Sequence, residues 1–215
     1  MDKEPLMDNE LKLLIGDDEK IIYAGKPNKK CFIFESIFNP LLPIALIWGI
    51  IDFGFVGASL SSKDEHIGFF LVPFMLLHLM PVWIYLGGAL LTFRRYNNTN
   101  YIVTDKAVYA SEGAFSKRYK TKPFTELSHV DLHRGIFDQW FGVGDVIMTS
   151  AQANPVTRNG RMTSTNAGIS IDSISDYITV YNIVKKLQQD MYTDAMFPND
   201  LRPKGNHGYK TTYKG

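Results

Sequence analysis

The sequence predicts an α+β membrane protein: an N-terminal two-helix transmembrane hairpin, then a small antiparallel β-barrel or sandwich capped by a C-terminal helix. Three observations predict it. Two long apolar runs lie between residues 32 and 93. From Thr99 onward apolar and polar residues alternate with period two, as half-buried strands require. An apolar stripe near helical spacing then runs through Ile178, Tyr181, Ile183, Val184, Leu187 and Met191.

The second apolar run is the clearer. Residues 67–93 carry no formal charge beyond a possible one on His78, and a spanning helix needs about 20 largely apolar residues. Pro73 and Pro81 predict a kink or an offset start rather than two short helices. His78 reads as a helix-contact residue. The first run, residues 37–60, contains Asn39, Pro40, Pro43 and Asp52. It reaches spanning length only with Asp52 near the far interface. There Asp52 reads as a carboxylate that caps or snorkels, with a functional intramembrane acid as the alternative.

Basic residues set the orientation. Lys20, Lys26, Lys29 and Lys30 precede the first run; Arg94, Arg95 and Lys106 follow the second. The connecting segment, residues 61–66, offers only Lys63 beside two acids. The positive-inside rule then places both termini in the cytoplasm of a multi-pass cell-membrane protein. A cleaved signal peptide is not expected, because the apolar region begins deep, after a charged leader. The organisation expected is a cytoplasmic leader at 1–31, the hairpin at 32–93, a soluble domain at 95–192 and a flexible polar tail at 193–215.

The net charge of +1 gives no electrostatic case for nucleic acid. Cys31 is the single cysteine, so there is no internal disulfide and no cysteine-based metal cage. Within the soluble part, Tyr101 and Val103 alternate up to the turn Thr104-Asp105-Lys106, and Ala107 and Tyr109 continue beyond it, a tight hairpin. Gly113 marks a second turn. Residues 114–123 read as a strand with a basic face. Residues 127–134 alternate again, with Leu127, Val130 and Leu132 as core candidates. Leu127 is out of phase, which indicates a bulge or a late start. Residues 136–144 read as a bulky turn, 145–153 as a strand, 154–166 as a long polar loop and 168–174 as the last strand. Ser175 or Asp176 caps the closing helix.

The stretch YIVTDKAVYASEGAFSKRYKTKPFTELSHVDLHRGIFDQWFGVGDVIM resembles the bacterial PH-like domain of small two-helix membrane proteins. The marks are Tyr101 with Thr104-Asp105, Gly113, and the segment from Phe141 to Val146. The leader GDDEKIIYAGKPN is similar to the short segment before the membrane helices of that family. The resemblance implies a pleckstrin-homology-type (PH-type) barrel in a bacterial cell membrane and leaves the ligand unspecified. Eukaryotic lipid-binding PH domains carry their basic residues in the loop between the first two strands. Here that loop reads as the Thr104-Asp105-Lys106 turn, a departure from the pattern.

Candidate chemistry is sparse. His129, Asp131 and His133 share one strand face and could converge on a metal, although same-face neighbours sit about 6.5–7 Å apart. Their other reading is the solvated face of a half-buried strand. Lys117, Arg118, Lys120 and Lys122 form a basic strand, able to contact anionic headgroups or serving as a solvated edge. Trp140 and Phe141 lie among Gly135, Gly142 and Gly144; the expected role is sealing one barrel end, with partner contact as the alternative. FGVG lacks dinucleotide-fingerprint spacing, and no cofactor is implied. No nucleophile elbow, phosphate loop or zinc-protease motif appears, so no enzyme and no small-molecule substrate are indicated. The reading is a membrane-anchored interaction module that binds protein segments or itself, with the bilayer as a constant partner. The alternatives are an anionic-lipid sensor at 117–122 and a metal-dependent activity at 129–133.

Overall fold

The computed structural model describes residues 9–60, 67–150, 153–158, 161–166 and 168–196. Two compact units emerge: residues 1–32 with 95–215, and residues 33–94.

The first unit is a β-domain built from both sides of the apolar region. After a single helical turn, α1 (Asn9–Lys12), comes β1 (Ile21–Gly25). β1 pairs antiparallel with β2 (Asn100–Thr104), which continues into β3 (Ala107–Glu112) and β4 (Arg118–Pro123) in the order β1-β2-β3-β4. The leader is thus part of the domain, and the first two strands are β1 and β2. Thr104-Asp105-Lys106 joins β2 to β3, as a hairpin; the connection between the first two strands is the whole of residues 26–99.

The consecutive apolar residues of β2 have a two-sided cause. Tyr101 and Val103 face the main core, whereas Ile102 belongs to a second cluster with Leu11, Ala107 and Tyr109. α1 covers that outer face, so β2 is buried throughout. Polar anchors hold the leader there. Thr104 Oγ1 and the Tyr109 hydroxyl both donate to the Glu19 carboxylate, at 2.7 and 2.9 Å. The Lys20 amide donates to Asp105 Oδ1 at 2.9 Å, and Lys106 pairs with Asp18. Burial, then the Glu19 bond, raises the Tyr109 phenol. Burial pushes the Tyr23 phenol on β1 up to about 12, with Asp176 adding to it.

Gly113 ends β3 at φ 131°, where a Cβ would meet the Ser116 carbonyl oxygen at 1.9 Å; only glycine makes that turn. A short 3-10 turn (Phe124–Glu126) leads into the second sheet: β5 (Leu127–His133), β6 (Gly144–Ser150) and β9 (Ile169–Ile174), in the order β5-β6-β9. The register shifts between Leu127 and His129, the bulge that the phase of Leu127 implies. Leu127 is buried and Val130 packs on the core, but Leu132 is 41% exposed and is no core residue. Residues 136–144 are more than a turn: α6 (Ile136–Phe141) stands there, with the Asp138 carboxylate accepting the Gly135 amide at 2.7 Å and Gly142 closing the helix in the left-handed region.

The expected loop at 154–166 instead contains β7 (Ala153–Arg158) and β8 (Arg161–Asn166), antiparallel in register Arg158↔Arg161. Its sequence cue is the Asn159-Gly160 pair, a strong hairpin signal. The closing helix is α7 (Tyr177–Met196). Its inward stripe is the expected one at Tyr181, Ile183, Val184, Leu187 and Met191, but Ile178 points to solvent, and Val180 and Val184 are the fully buried residues. They complete a core with Val103, Val108, Val146, Met148 and Ile171. Most of the tail expected at 193–215 lies outside the described residues; α7 runs on to Met196.

The second unit is helical. α2 (Lys29–Ile37) leads into it, and Asn39 separates α2 from α3 (Leu41–Leu60). The Asn39 side chain accepts the Leu41 amide at 2.8 Å and donates to the Ser36 carbonyl at 2.6 Å, so it caps one helix and closes the other. Among the described residues α3 alone is long and apolar enough to cross a membrane, by length and composition. The second apolar run is divided at Leu79 into α4 (Ile67–His78) and α5 (Met80–Asn98), where a single kinked helix was the expectation. The helical path almost persists, since the Leu79 amide still donates to the Met75 carbonyl at 2.9 Å. Pro81, having no N–H, cannot make the next such bond.

Asp52 lies well inside α3 rather than near its end. It is 3% exposed, and its Oδ1 is 2.7 Å from His78 Nδ1. Trp48 Nε1 donates to the His78 carbonyl at 2.7 Å, and the Phe74 ring stacks on the imidazole at 5.0 Å. His78 is therefore the helix contact expected, with a carboxyl as its partner. Tyr85 donates to the Ile37 carbonyl at 3.0 Å, and Ser36 bonds Thr92. Along α3 and α5 many large apolar side chains, among them Ile47, Ile50, Phe53 and Leu90, lie exposed.

Candidate functional site

Two concavities stand out among the described residues of the β-domain. The larger, about 540 Å³, is a groove between the edge strand β5 and the last turns of α7. Phe124, Leu127 and Ser128 form one wall; Gln188, Met191 and Tyr192 form the other. Among the described residues β5 pairs only with β6, and its start, Leu127 and Ser128, borders this groove. The groove is polar at one point, where Gln188 Nε2 donates to the Leu127 carbonyl at 2.9 Å. Thr125, Ser128, Gln189 and Thr193 add further polar groups, and Phe124, Leu127, Met191 and Tyr192 supply its apolar surface. Such a channel suits an extended segment, whose backbone could pair with the strand while its side chains enter the groove.

The second concavity, about 400 Å³, is more polar and lies where β3, the turn at residues 113–117 and β9 meet. Phe32, Arg95, Phe115, Arg118, Lys120 and Asp172 line it. Burial raises the Asp172 carboxyl above the usual carboxylate range; the Ser170 hydroxyl opposes this, and Asp145 and Glu112 reinforce it. Burial, with the Asp172 charge behind it, likewise holds the Tyr101 phenol well above its ordinary value. Asp172 is a polar group that sequence reading passed over. Its only signal is a carboxylate at a strand position beside two buried isoleucines.

A four-stranded sheet, a three-stranded sheet and a C-terminal helix over one core is a PH-type layout. The sequence profile of the family described as Bacterial PH domain matches residues 45–188, two thirds of the chain. The chain belongs to the bacterial PH domain family. No curated protein and no solved structure matches it. The matched region begins inside α3 and omits β1, although β1 is the outer strand of the PH-like domain's first sheet.

Within the PH-like domain the basic strand is compensated. Lys117 lies 3.4 Å from Glu10, Lys120 2.8 Å and Arg118 3.9 Å from Glu112, and Lys122 3.1 Å from Glu126. The four cations face three carboxylates, so the strand presents little net charge to an anionic surface. His129, Asp131 and His133 are all exposed on β5, and the structure does not gather them. His133 turns instead toward Asp145, 3.4 Å away, and those two with Asp138 form a set compact enough for a cation. Both carboxylates already serve the backbone: Asp138 takes the Gly135 amide, and Asp145 takes the Ser173 amide at 2.7 Å. That gives them a structural role without a metal. Trp140 does not seal the barrel. It is 70% exposed on α6, with its ring edge-on to Phe137 at 5.6 Å.

Proposed function

We propose that the protein is a non-enzymatic, membrane-anchored interaction module whose PH-like domain holds an extended segment of a protein partner in the β5–α7 groove. The observation that carries the reading is the groove itself, with apolar and polar side chains beside the start of an edge strand. Family membership supports the class, since bacterial PH domains are in general interaction modules rather than enzymes.

Anchoring is supported by the exposed apolar side chains of α3 and α5, far more than a water-facing surface carries. Strand pairing adds a constraint. Gly25 pairs with Tyr101, so the chain leaves the sheet and returns to it on one side of any membrane. Residues 26–99 therefore cross an even number of times. Two crossings, the hairpin, agree with the basic residues on both flanks, which by the positive-inside rule favour a cytoplasmic domain. The lipid-sensor reading at 117–122 has less support, because each cation there has a carboxylate neighbour. The metal reading at 129–133 has less still, because those side chains diverge along an exposed strand.

Two measurements test the proposal. A photo-crosslinker at Gln189 or Tyr192, in full-length protein in native membranes, should give protein adducts that are lost when Ser128→Pro deforms the β5 edge. The same crosslinker at Thr121 should give none. Absence of adducts at both groove positions overturns the groove reading. Ser62→Cys should react with an impermeant thiol reagent from outside intact cells; protection there overturns the two-span reading.

A further inference from the structure

We infer that the end of the PH-like domain where the chain exits toward the apolar helices rests in the headgroup layer of an anionic bilayer. Phe115, Ile136 and Trp140 would dip into it, and Lys29, Lys30 and Arg95 would pair with its phosphates. This inference rests on the anchoring reading above and extends it: the domain is seated on the membrane, not merely tethered to it.

The exit is defined by Phe32 and Arg95, the residues at which the chain leaves and re-enters the β-domain. Both line the polar cleft, and Phe115, on the turn that closes this cleft, is 81% exposed. α6 is fixed to the same exit, because Cys31 Sγ donates to Asp138 Oδ1 at 3.6 Å, one residue before Phe32. On α6, Ile136 and Trp140 stand one turn apart on the face opposite Asp138, and each is 70% exposed. Three large apolar side chains thus stand out around this one end; elsewhere on the domain Leu13, Ile178 and Tyr192 are exposed as well.

The charges at this end differ from those of β4. Among the described residues Lys29, Lys30 and Arg95 are in no ion pair, and all three are exposed. Lys29 Nζ lies 5.8 Å from the Tyr96 ring centre, and the Arg95 guanidinium lies 5.9 Å from that of Phe32. Cations interleaved with aromatic rings are the composition of a membrane interface, where ring and charge each meet a suitable depth. Chain length allows the fit. Arg95 follows the last residue of the apolar run, Phe93, by two positions, so it cannot lie far from the bilayer surface if that run is embedded. A protein partner would offer the apolar residues a complement but would not explain three uncompensated cations.

Depth-dependent fluorescence quenching tests this in the full chain in nanodiscs containing anionic lipid. With Trp48→Phe and Trp83→Phe, Trp140 is the sole tryptophan. Its emission should shift to the blue and be quenched at least twofold more by a headgroup-level spin label than by a mid-chain label. Lys29→Gln, Lys30→Gln and Arg95→Gln together should reduce that quenching to its level in zwitterionic lipid. A variant keeping Trp83 alone reports on anchoring. Quenched Trp83 with water-like Trp140 overturns the inference and leaves anchoring intact; neither quenched overturns both. Phe115→Cys carrying a fluorophore, in the natural tryptophan background, repeats the measurement if the tryptophan variants misfold. Crosslinking of position 140 to a second copy, without lipid quenching, also overturns it.

Discussion

Val103, Val146 and Val184 of the β-domain are shut away from solvent, while Ile47, Ile50 and Phe53 of α3 are each more than half exposed. The reverse holds for acid groups. The β-domain displays most of its carboxylates, whereas α3 hides its single one, Asp52, against His78. One region excludes its apolar surface from its surroundings and the other offers it to them. Water fixes the inside of the β-domain; on the proposed anchoring, an apolar medium would account for the outside of the helices.

The comparison breaks first at the β-domain core. Phe124, almost wholly buried, sits where the two sheets and α7 meet. Phe124→Ala should cost about 3–5 kcal/mol. Chemical denaturation followed by near-ultraviolet circular dichroism should show the loss, with the helical signal of the apolar unit unchanged. The opposite probe is His78→Leu, which leaves the Asp52 carboxyl without its imidazole. Leaving a buried carboxyl without its hydrogen-bond partner costs about 1–3 kcal/mol, so α3 and α4 should separate earlier in detergent titrations, and Asp52→Leu with His78→Leu should recover most of the loss. Equal behaviour of single and double variants would mean that the pair does not join the helices.

The smallest expected effect sharpens the contrast between buried acids. The folded domain holds the Asp172 proton to a higher pH than the unfolded chain, whose value is near 3.8. Stability from this group is therefore complete below that value and is lost as pH rises through the folded value. Asp172→Asn mimics the protonated form. It should raise Tm at pH 7, and the gain should vanish as pH falls toward 3.8. A constant gain at all pH values would show that ionisation is not its source.

The elements legible in the sequence are those whose cause is local. The Thr104-Asp105-Lys106 hairpin, the Gly113 turn and the bulge at Leu127 follow from neighbours a few positions away. β1 was hidden because IIYAG is short and its partner lies more than seventy residues on. The β7–β8 pair carried a hairpin cue, but its polar strands supplied no apolar alternation. Along α7, Val180 was passed over for Ile178 because periodicity fixes a helix's face only to within about one residue. The candidate sites depended on tertiary placement. The exposure of Trp140 follows from the lie of α6, and the carboxylates beside the basic strand come from α1, β3 and the 3-10 turn. Asp52 and His78 each stand out in an apolar run, but only the packing of α3 on α4 makes them partners.

The pairing of β1 with β2 also has a consequence in time. During synthesis β1 leaves the ribosome first, yet its partner follows only after the apolar helices, about 4–15 s later at roughly 5–20 residues per second. The first sheet cannot acquire its outer strand until that interval has passed. On the proposed anchoring, completion of the domain requires both ends of the intervening helices on one face of the bilayer, and a chain whose second helix failed to return would be left with an orphan strand and an unpaired sheet edge.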